Sequence, residues 1–235
     1  MMIRARRIAA RCAVSIALAA GILFGGAATR TSTNPGELVA PGHRVGPGPG
    51  EPTLAEVRSA TERFRDVNVA LAEGYVRDPG DMCETADMMG RPASLGAMGV
   101  HYFRPDLLGI TATSPRVNGN GTHTDFRKPS ILIYEPQADG SLQLVAVENL
   151  VFAEAWRASG RSVPPTFHAV PYDTMRDDPS TVTDEAHMFE PHFDRHVWLY
   201  RDNPNGIFAP FNPDATCAHH RATQSHPADH STTAR

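Results

Sequence analysis

The chain has 235 residues, of which 41% are hydrophobic and 20% are charged. This length suffices for one ordinary domain with a sizeable core, and the composition excludes a polytopic membrane protein and a wholly disordered chain. The formal charge of −4 gives no general attraction for nucleic acid or anionic lipid, so we expect no nucleic-acid partner.

The N-terminus has the features of a secretory signal peptide. Residues 1–28 begin with arginines, continue through an apolar stretch and end in small residues. The apolar stretch is shorter than the roughly 20 residues of a membrane span. We therefore expect cleavage, a secreted or extracytoplasmic protein and no stable membrane span afterwards, with an uncleaved anchor as the alternative. Because residues 1–28 contain four arginines and no acid, their removal lowers the formal charge from −4 to −8.

Composition divides the remainder into three parts. Residues 29–51 are rich in proline and glycine and are expected to form a linker. Residues 52–217 contain the apolar segments that can fold. Residues 218–235 are small, polar and rich in histidine, so we predict a disordered tail that captures metal only weakly.

The three cysteines fall in two of these regions. Cys12 lies in the predicted signal peptide, which leaves Cys83 and Cys217 in the mature chain. Two cysteines in an exported protein most often pair, so we predict a disulfide between them. Two free buried thiols are the alternative.

The first predicted element is one long N-terminal helix. Apolar residues recur at spacings of three and four over residues 54–73, as on one stripe of a helix. Thr53 and Glu56 have the spacing of a capping box. Gly74 is suited to end the helix in the left-handed conformation.

Strands are predicted next. Residues 98–103, 131–135 and 142–151 are apolar and rich in β-branched or aromatic side chains. The glycine-containing connection at 136–141 has the length of a hairpin turn, which predicts an antiparallel pair. Both alternating residue sets of the third segment are apolar, so we expect this strand inside a sheet that is covered on both faces.

The C-terminal half carries weaker signals. We predict a short helix at 153–158 and a strand at 196–200, with long irregular connections at 104–130 and 159–194. The predicted fold class is α+β: a single domain with a mainly antiparallel sheet, one long N-terminal helix and long irregular loops.

Three polar residues stand within or at the start of the predicted apolar strands: His101, Glu148 and His196. Period-two alternation places Glu148 on the same face as Leu144 and Ala146. A carboxylate on an apolar face must be paired, protonated or bound to a cation. Two imidazoles and a carboxylate from neighbouring strands would form a facial site for divalent zinc, iron, manganese or copper.

A buried hydrogen-bond network is the alternative interpretation of these residues. Glu148 would then anchor one histidine and order the sheet without any metal. Strand order decides whether the three side chains meet, and the sequence does not establish it. Both interpretations therefore stay open at this point.

Two further groups are candidate ligand-binding residues. His192 precedes His196 by four residues, which would place both on one face of a helix, but Pro191 argues against a continuous helix. His192 is a candidate for a further ligand. His123 and Asp125 lie in a glycine-containing loop that would form a lid over a pocket, with an ordinary exposed turn as the alternative.

Several short motifs resemble those of a group of small exported bacterial proteins to which no reaction is assigned. They are Gly96–Tyr102, Tyr134–Pro136, Val147-Glu148, His196–Tyr200 and Asn203–Gly206. The resemblance extends over about residues 54–217 and implies export and a shared fold. Its motif positions include His101, Glu148 and His196.

These observations predict an exported single-domain protein with a polar His/Glu pocket that binds a small molecule or a divalent metal ion. A secreted metal-dependent oxygenase or hydrolase is one alternative, and a cell-surface interaction scaffold is another. The sequence contains no Gly-x-Ser-x-Gly motif, phosphate-binding loop or dinucleotide fingerprint. Composition and motifs alone therefore assign no reaction.

Overall fold

Strands dominate the folded part of the chain because its apolar segments are short, β-branched and separated by turns. The computed structural model describes residues 46–110, 119–186 and 189–221. The strands are β1 (Val76–Arg77), β2 (Cys83–Thr85), β3 (Ala97–Phe103), β4 (Ile131–Pro136), β5 (Leu142–Phe152), β6 (Thr166–Phe167), β7 (Val170–Pro171), β8 (Asp173–Met175) and β9 (His192–Val197). The α-helices are α1 (Leu54–Thr61), α2 (Val67–Ala72), α3 (Pro105–Leu108) and α4 (Ala153–Ala158). The predicted class, a single mixed domain with a mainly antiparallel sheet, is confirmed.

Some predictions concern residues outside the described part of the chain. The predicted signal peptide at 1–28, residues 29–45 of the linker and residues 222–235 of the tail all lie outside it. Within the described ranges, none of the helices combines the length and the apolar character that a membrane crossing requires.

The main sheet has seven strands. Its order is β1-β3-β4-β5-β9-β8, with β2 also paired to β3, and every pairing is antiparallel. The predicted hairpin of β4 and β5 is confirmed: the Gln137 amide donates to the Ser141 carbonyl, and Gly140 adopts a positive φ of 87° in the turn. Strands β6 and β7 form a separate pair.

The central strand β5 is covered on both faces, as its two apolar residue sets predict. Val147 and Val151 share one hydrophobic cluster with Phe64 from the N-terminal helical segment. Ala146 and Leu150 belong to a second cluster on the opposite side of the sheet. We call this second side, on which His101 and His196 lie, the histidine face.

A β-bulge changes the predicted neighbours of Glu148. Ala146 and Leu144 pair with consecutive residues of β4, so Val145 is an extra residue on β5. The bulge places Leu144 in the first cluster, with Val147 and Val151. Glu148 lies two residues after Ala146, beyond the bulge, and therefore lies on the same side of the sheet as Ala146. The expectation that Leu144 and Glu148 share a face is therefore wrong.

The predicted long helix at 54–73 is also wrong. Helix α1 continues into a 3-10 turn at residues 62–65, and Asp66 then adopts an extended conformation with φ −89° and ψ 108°. The Asp66 carboxylate accepts a hydrogen bond from the Asn68 amide, so it starts α2 as a new helix. Because this break changes the phase of the stripe, Leu71 is 47% exposed.

The last strand begins earlier than predicted. The sequence predicts a strand at 196–200, but β9 runs over residues 192–197 and all six residues are buried. Only two of the six are apolar, so the strand lacks an apolar signal, and pairing with β5 determines its bounds. The predicted helix at 153–158 is confirmed as α4, whereas the predicted irregular connection at 159–194 contains β6, β7 and β8.

A disulfide joins Cys83 on β2 to Cys217, with their Cα atoms 5.7 Å apart. The predicted pairing is confirmed, and the alternative of two free thiols is wrong. The bond attaches a three-residue edge strand to the C-terminal segment. It closes a long chain loop and so limits the freedom of the unfolded state.

Replacement of both bridged cysteines, Cys83→Ala with Cys217→Ala, should lower the free energy of unfolding by about 4–5 kcal/mol, because the bond spans 134 residues of sequence. Guanidinium unfolding of the full chain measures this change. Equal stability of the variant and the wild type would contradict the prediction. Thiol titration of the unfolded, non-reduced wild type should detect no thiol from these two residues.

The capping box at the start of α1 gives a second stability prediction. The Thr53 hydroxyl accepts from the Glu56 amide, and the Glu56 carboxylate accepts from the Thr53 amide. Thr53→Ala should cost about 1 kcal/mol of unfolding free energy. Ser59→Ala, at an exposed position of the same helix, is the control and should change it by less than about 0.5 kcal/mol.

Candidate metal centre

The three polar strand residues meet on the histidine face. His101 comes from β3, Glu148 from β5 and His196 from β9. One ligand atom from each side chain lies within 4.8 Å of the others. All three residues are at most 4% exposed. The structure therefore brings together the three residues that the sequence singled out, and we call them the trio.

Strand register explains this convergence. Glu148 and His196 are direct cross-strand partners on β5 and β9, so their side chains leave the sheet side by side. His101 comes from the other side of β4, where it pairs with Ile133, and Ile131 pairs with Glu148. Contact between His101 and Glu148 thus spans β4 and depends on the order of three strands, β3-β4-β5.

The distances centre on one oxygen. Glu148 Oε2 lies 3.5 Å from His101 Nε2 and 3.5 Å from His196 Nε2. A charge-assisted hydrogen bond would be about 2.7–2.9 Å long. Two ligands about 2.1 Å from a zinc ion at a tetrahedral angle lie roughly 3.4 Å apart. The spacing therefore matches ligands that share one ion better than it matches a compact hydrogen-bond network.

An acid that the sequence analysis missed faces the other nitrogen of His101. Glu84 on β2 is buried, and its Oε2 lies 3.8 Å from His101 Nδ1. The imidazole of His101 therefore has a carboxylate on each side, Glu84 at Nδ1 and Glu148 at Nε2. Nothing in the three-residue strand β2 signals this contact except the neighbouring Cys83, whose disulfide indicates an anchored position.

The electrostatics of the site follow from buried acids. Burial lowers the pKa of His101, but the carboxylates of Glu84 and Glu148 outweigh this effect and raise it to about 9. Burial raises the pKa of Asp194 well above its usual range, and the charges of Glu148 and Asp173 raise it further. The cluster thus retains protons as long as no other cation balances its carboxylates.

Asp194 was also missed by the sequence analysis, although a signal was present. His192, Asp194 and His196 recur at every second residue, which is the period that places side chains on one face of a strand. This period was not recognised because His192 and Asp194 fell in the predicted irregular connection at 159–194, whereas His196 fell in the predicted strand at 196–200. The polar row of β9 is fully buried.

Aromatic rings shield the cluster from solvent. Phe103 stacks against His101 with ring centroids 6.2 Å apart. Phe189 packs edge-on against Phe103 at 5.4 Å and against His192 at 5.5 Å. This apolar cover lowers the local dielectric and strengthens the interactions of the carboxylates with positive charge.

His192 lies on the same strand face but outside the trio. Its Nδ1 contacts the Glu190 carbonyl at 2.9 Å, and its Nε2 lies 3.9 Å from Asp194 Oδ2. Four residues of strand separate His192 from His196, which corresponds to roughly 13 Å between their Cα atoms. The structure therefore does not place His192 with the trio, and a role in ligand binding stays a prediction.

The loop residues His123 and Asp125 are not brought to the trio either. His123 Nε2 contacts the backbone oxygens of Asp125 and Lys128 at 3.1 and 2.7 Å. The Asp125 carboxylate accepts hydrogen bonds from the amide and guanidinium of Arg127. Both side chains thus stabilise their own turn, and their predicted ligand-binding role stays a prediction.

Comparison of the chain with protein-family models, with curated proteins and with solved structures finds no match in any of the three. The geometry of the site itself is therefore the basis for assigning a function.

Proposed function

We propose that this is an exported, single-domain protein that binds one divalent first-row transition-metal ion at His101, Glu148 and His196. The observation that carries the proposal is the position of Glu148 Oε2, 3.5 Å from the Nε2 atoms of both histidines. Export is supported by the signal-like sequence of residues 1–28 and by the disulfide.

The donor set selects the class of ion. Two imidazole nitrogens and one carboxylate oxygen suit zinc, iron(II), manganese or copper, whereas calcium and magnesium prefer oxygen ligands alone. The two 3.5 Å separations between Glu148 Oε2 and the histidine Nε2 atoms are compatible with a tetrahedral zinc site. Three protein ligands leave at least one coordination position for water or another molecule.

The charge of the site supports a divalent ion. Glu84 and Glu148 place two carboxylates around the imidazole of His101 within the buried cluster. Buried charges are costly unless they are balanced, and one divalent cation balances two carboxylates. The ion would take the place of the proton that His101 otherwise holds.

A metal-dependent oxygenase or hydrolase is the second candidate. The specific observation in its favour is the facial arrangement of two histidines and one carboxylate, which leaves positions open for a substrate or oxygen. The burial of all three side chains favours a stable metal complex over rapid exchange of substrate, so we place metal binding first. Binding of a small organic molecule and a role as a cell-surface scaffold stay predictions.

Metal stoichiometry tests the proposal. The full chain, first stripped with a chelator, should bind one zinc or cobalt(II) ion tightly, and His101→Ala or His196→Ala should each abolish this binding. Glu148→Gln keeps the shape of the side chain, removes its charge and should weaken binding by at least tenfold. Equilibrium dialysis with elemental analysis gives the number of ions bound.

The matched control is His123→Ala, which removes a histidine outside the trio and should retain one tight ion. Histidines of the C-terminal tail are present in every variant, so their weak binding cancels in the comparison. Circular dichroism verifies that each variant is folded. Identical metal content in the wild type and in a folded His101→Ala/His196→Ala double variant would contradict the proposal.

Thermal unfolding gives an independent prediction. An ion that binds only the folded state at a free concentration 100 times its Kd adds about 2.7 kcal/mol of stability. For a chain of this size the Tm should rise by roughly 5 to 10 °C. Calorimetry should show this rise in the wild type and in His123→Ala but not in His196→Ala. An unchanged Tm in the zinc-loaded wild type would contradict binding to the folded state.

A further inference from the structure

Glu84 occupies the position from which a side chain can orient a metal ligand without touching the ion. Its Oε2 faces His101 Nδ1 at 3.8 Å, while Nε2 of the same ring faces Glu148. The two nitrogens of His101 therefore point at different partners. Only Nε2 is directed toward the centre of the trio.

The strand register creates this approach. Glu84 pairs with Gly99 on β3, and His101 lies two residues farther along the same face of that strand. Glu84 is thus the diagonal neighbour of His101, within reach of a long side chain. Gly99 offers no side chain between them. A Cβ atom on Gly99, which has a φ of 126°, would lie 2.6 Å from the Tyr134 carbonyl oxygen.

The disulfide fixes the backbone of Glu84. Cys83 directly precedes Glu84 on the three-residue strand β2 and is bonded to Cys217. The sulfur of Cys217 also lies 3.8 Å from the Glu84 carbonyl oxygen. A short edge strand that has a covalent attachment next to Glu84 can hold this carboxylate in place.

We propose that Glu84 is a positioning residue of the metal centre: its carboxylate accepts a hydrogen bond from the Nδ1–H group of His101 and so holds Nε2 toward the ion. This inference rests on the proposed metal binding. When Nε2 coordinates an ion, Nδ1–H is the only ring donor left, and it is already directed at Glu84. Formation of a normal hydrogen bond from 3.8 Å requires the two groups to approach by about 1 Å.

This arrangement has two chemical consequences. The carboxylate fixes the tautomer of His101 with the proton on Nδ1, and it makes Nε2 a more basic ligand. Loss of such an outer partner typically weakens metal affinity by 10- to 100-fold without removing the ligand itself. Glu84 is therefore expected to control the affinity of the site but not the number of ions it holds.

The first experiment measures zinc affinity of the full chain by competition with a chromophoric chelator. Glu84→Gln should raise the Kd by about 10- to 100-fold and still reach one zinc per chain at saturation. The matched control is Glu135→Gln: Glu135 has the same 3% exposure as Glu84, but its carboxylate binds Arg201 and the Thr216 amide and not a histidine of the trio. Its Kd should stay close to that of the wild type, well short of the roughly 10-fold increase expected for Glu84→Gln.

The second measurement needs no variant at Glu84, so it holds even if Glu84→Gln fails to fold. Nitrogen-15 NMR of histidine-labelled, zinc-loaded wild type reports the tautomer of His101, whose signals are assigned with His101→Ala. Positioning by Glu84 predicts a proton on Nδ1 and zinc on Nε2. A zinc-bound Nδ1 would overturn the inference, because the ion would then occupy the place of the hydrogen bond.

The outcomes separate this inference from the proposed function. If Glu84→Gln binds zinc as tightly as the wild type while His101→Ala binds none, the positioning role is overturned and the metal site stands. If the wild type itself binds no zinc, both are overturned. Weaker affinity at unchanged stoichiometry, together with a Nδ1–H tautomer, supports both.

Discussion

The burial of Glu148 between two imidazoles is the constraint on which the rest of the structure depends. A carboxylate removed from water costs several kcal/mol unless positive charge compensates it. In this chain Glu148 lies on an apolar sheet face beneath aromatic rings, 3.5 Å from His101 and His196. The compensation is either a proton, which the raised pKa of His101 keeps in place up to about pH 9, or a bound cation. The proposed metal binding follows if a bound cation provides the compensation.

The same interactions that stabilise the fold also build the site. Pairing of β5 with β9 places Glu148 beside His196. Because β4 lies between β3 and β5, it determines the distance across which His101 contacts Glu148. The disulfide anchors β2 and with it Glu84. Each strand of the site is thus held by backbone hydrogen bonds or by a covalent bond, so the donor atoms need little ordering when an ion binds.

Much of the site could be predicted from the sequence, because polar residues stand out in apolar strands. His101, Glu148 and His196 were visible for that reason, and so was the central position of β5. Features that depend on tertiary structure could not be predicted from the sequence. The bulge at Val145 reversed the face of Leu144, the cap formed by Asp66 divided the predicted helix, and Glu84 on its three-residue strand carried no local pattern.

X-ray absorption spectroscopy of the zinc-loaded full chain tests the central claim most directly, because it counts and identifies the atoms bound to the ion. Coordination by the trio predicts two imidazole nitrogens and one carboxylate oxygen at about 2.0–2.2 Å, and tight binding of zinc in this shell should be lost in a folded His101→Ala/His196→Ala variant. A wild-type shell made only of oxygen atoms would contradict the account.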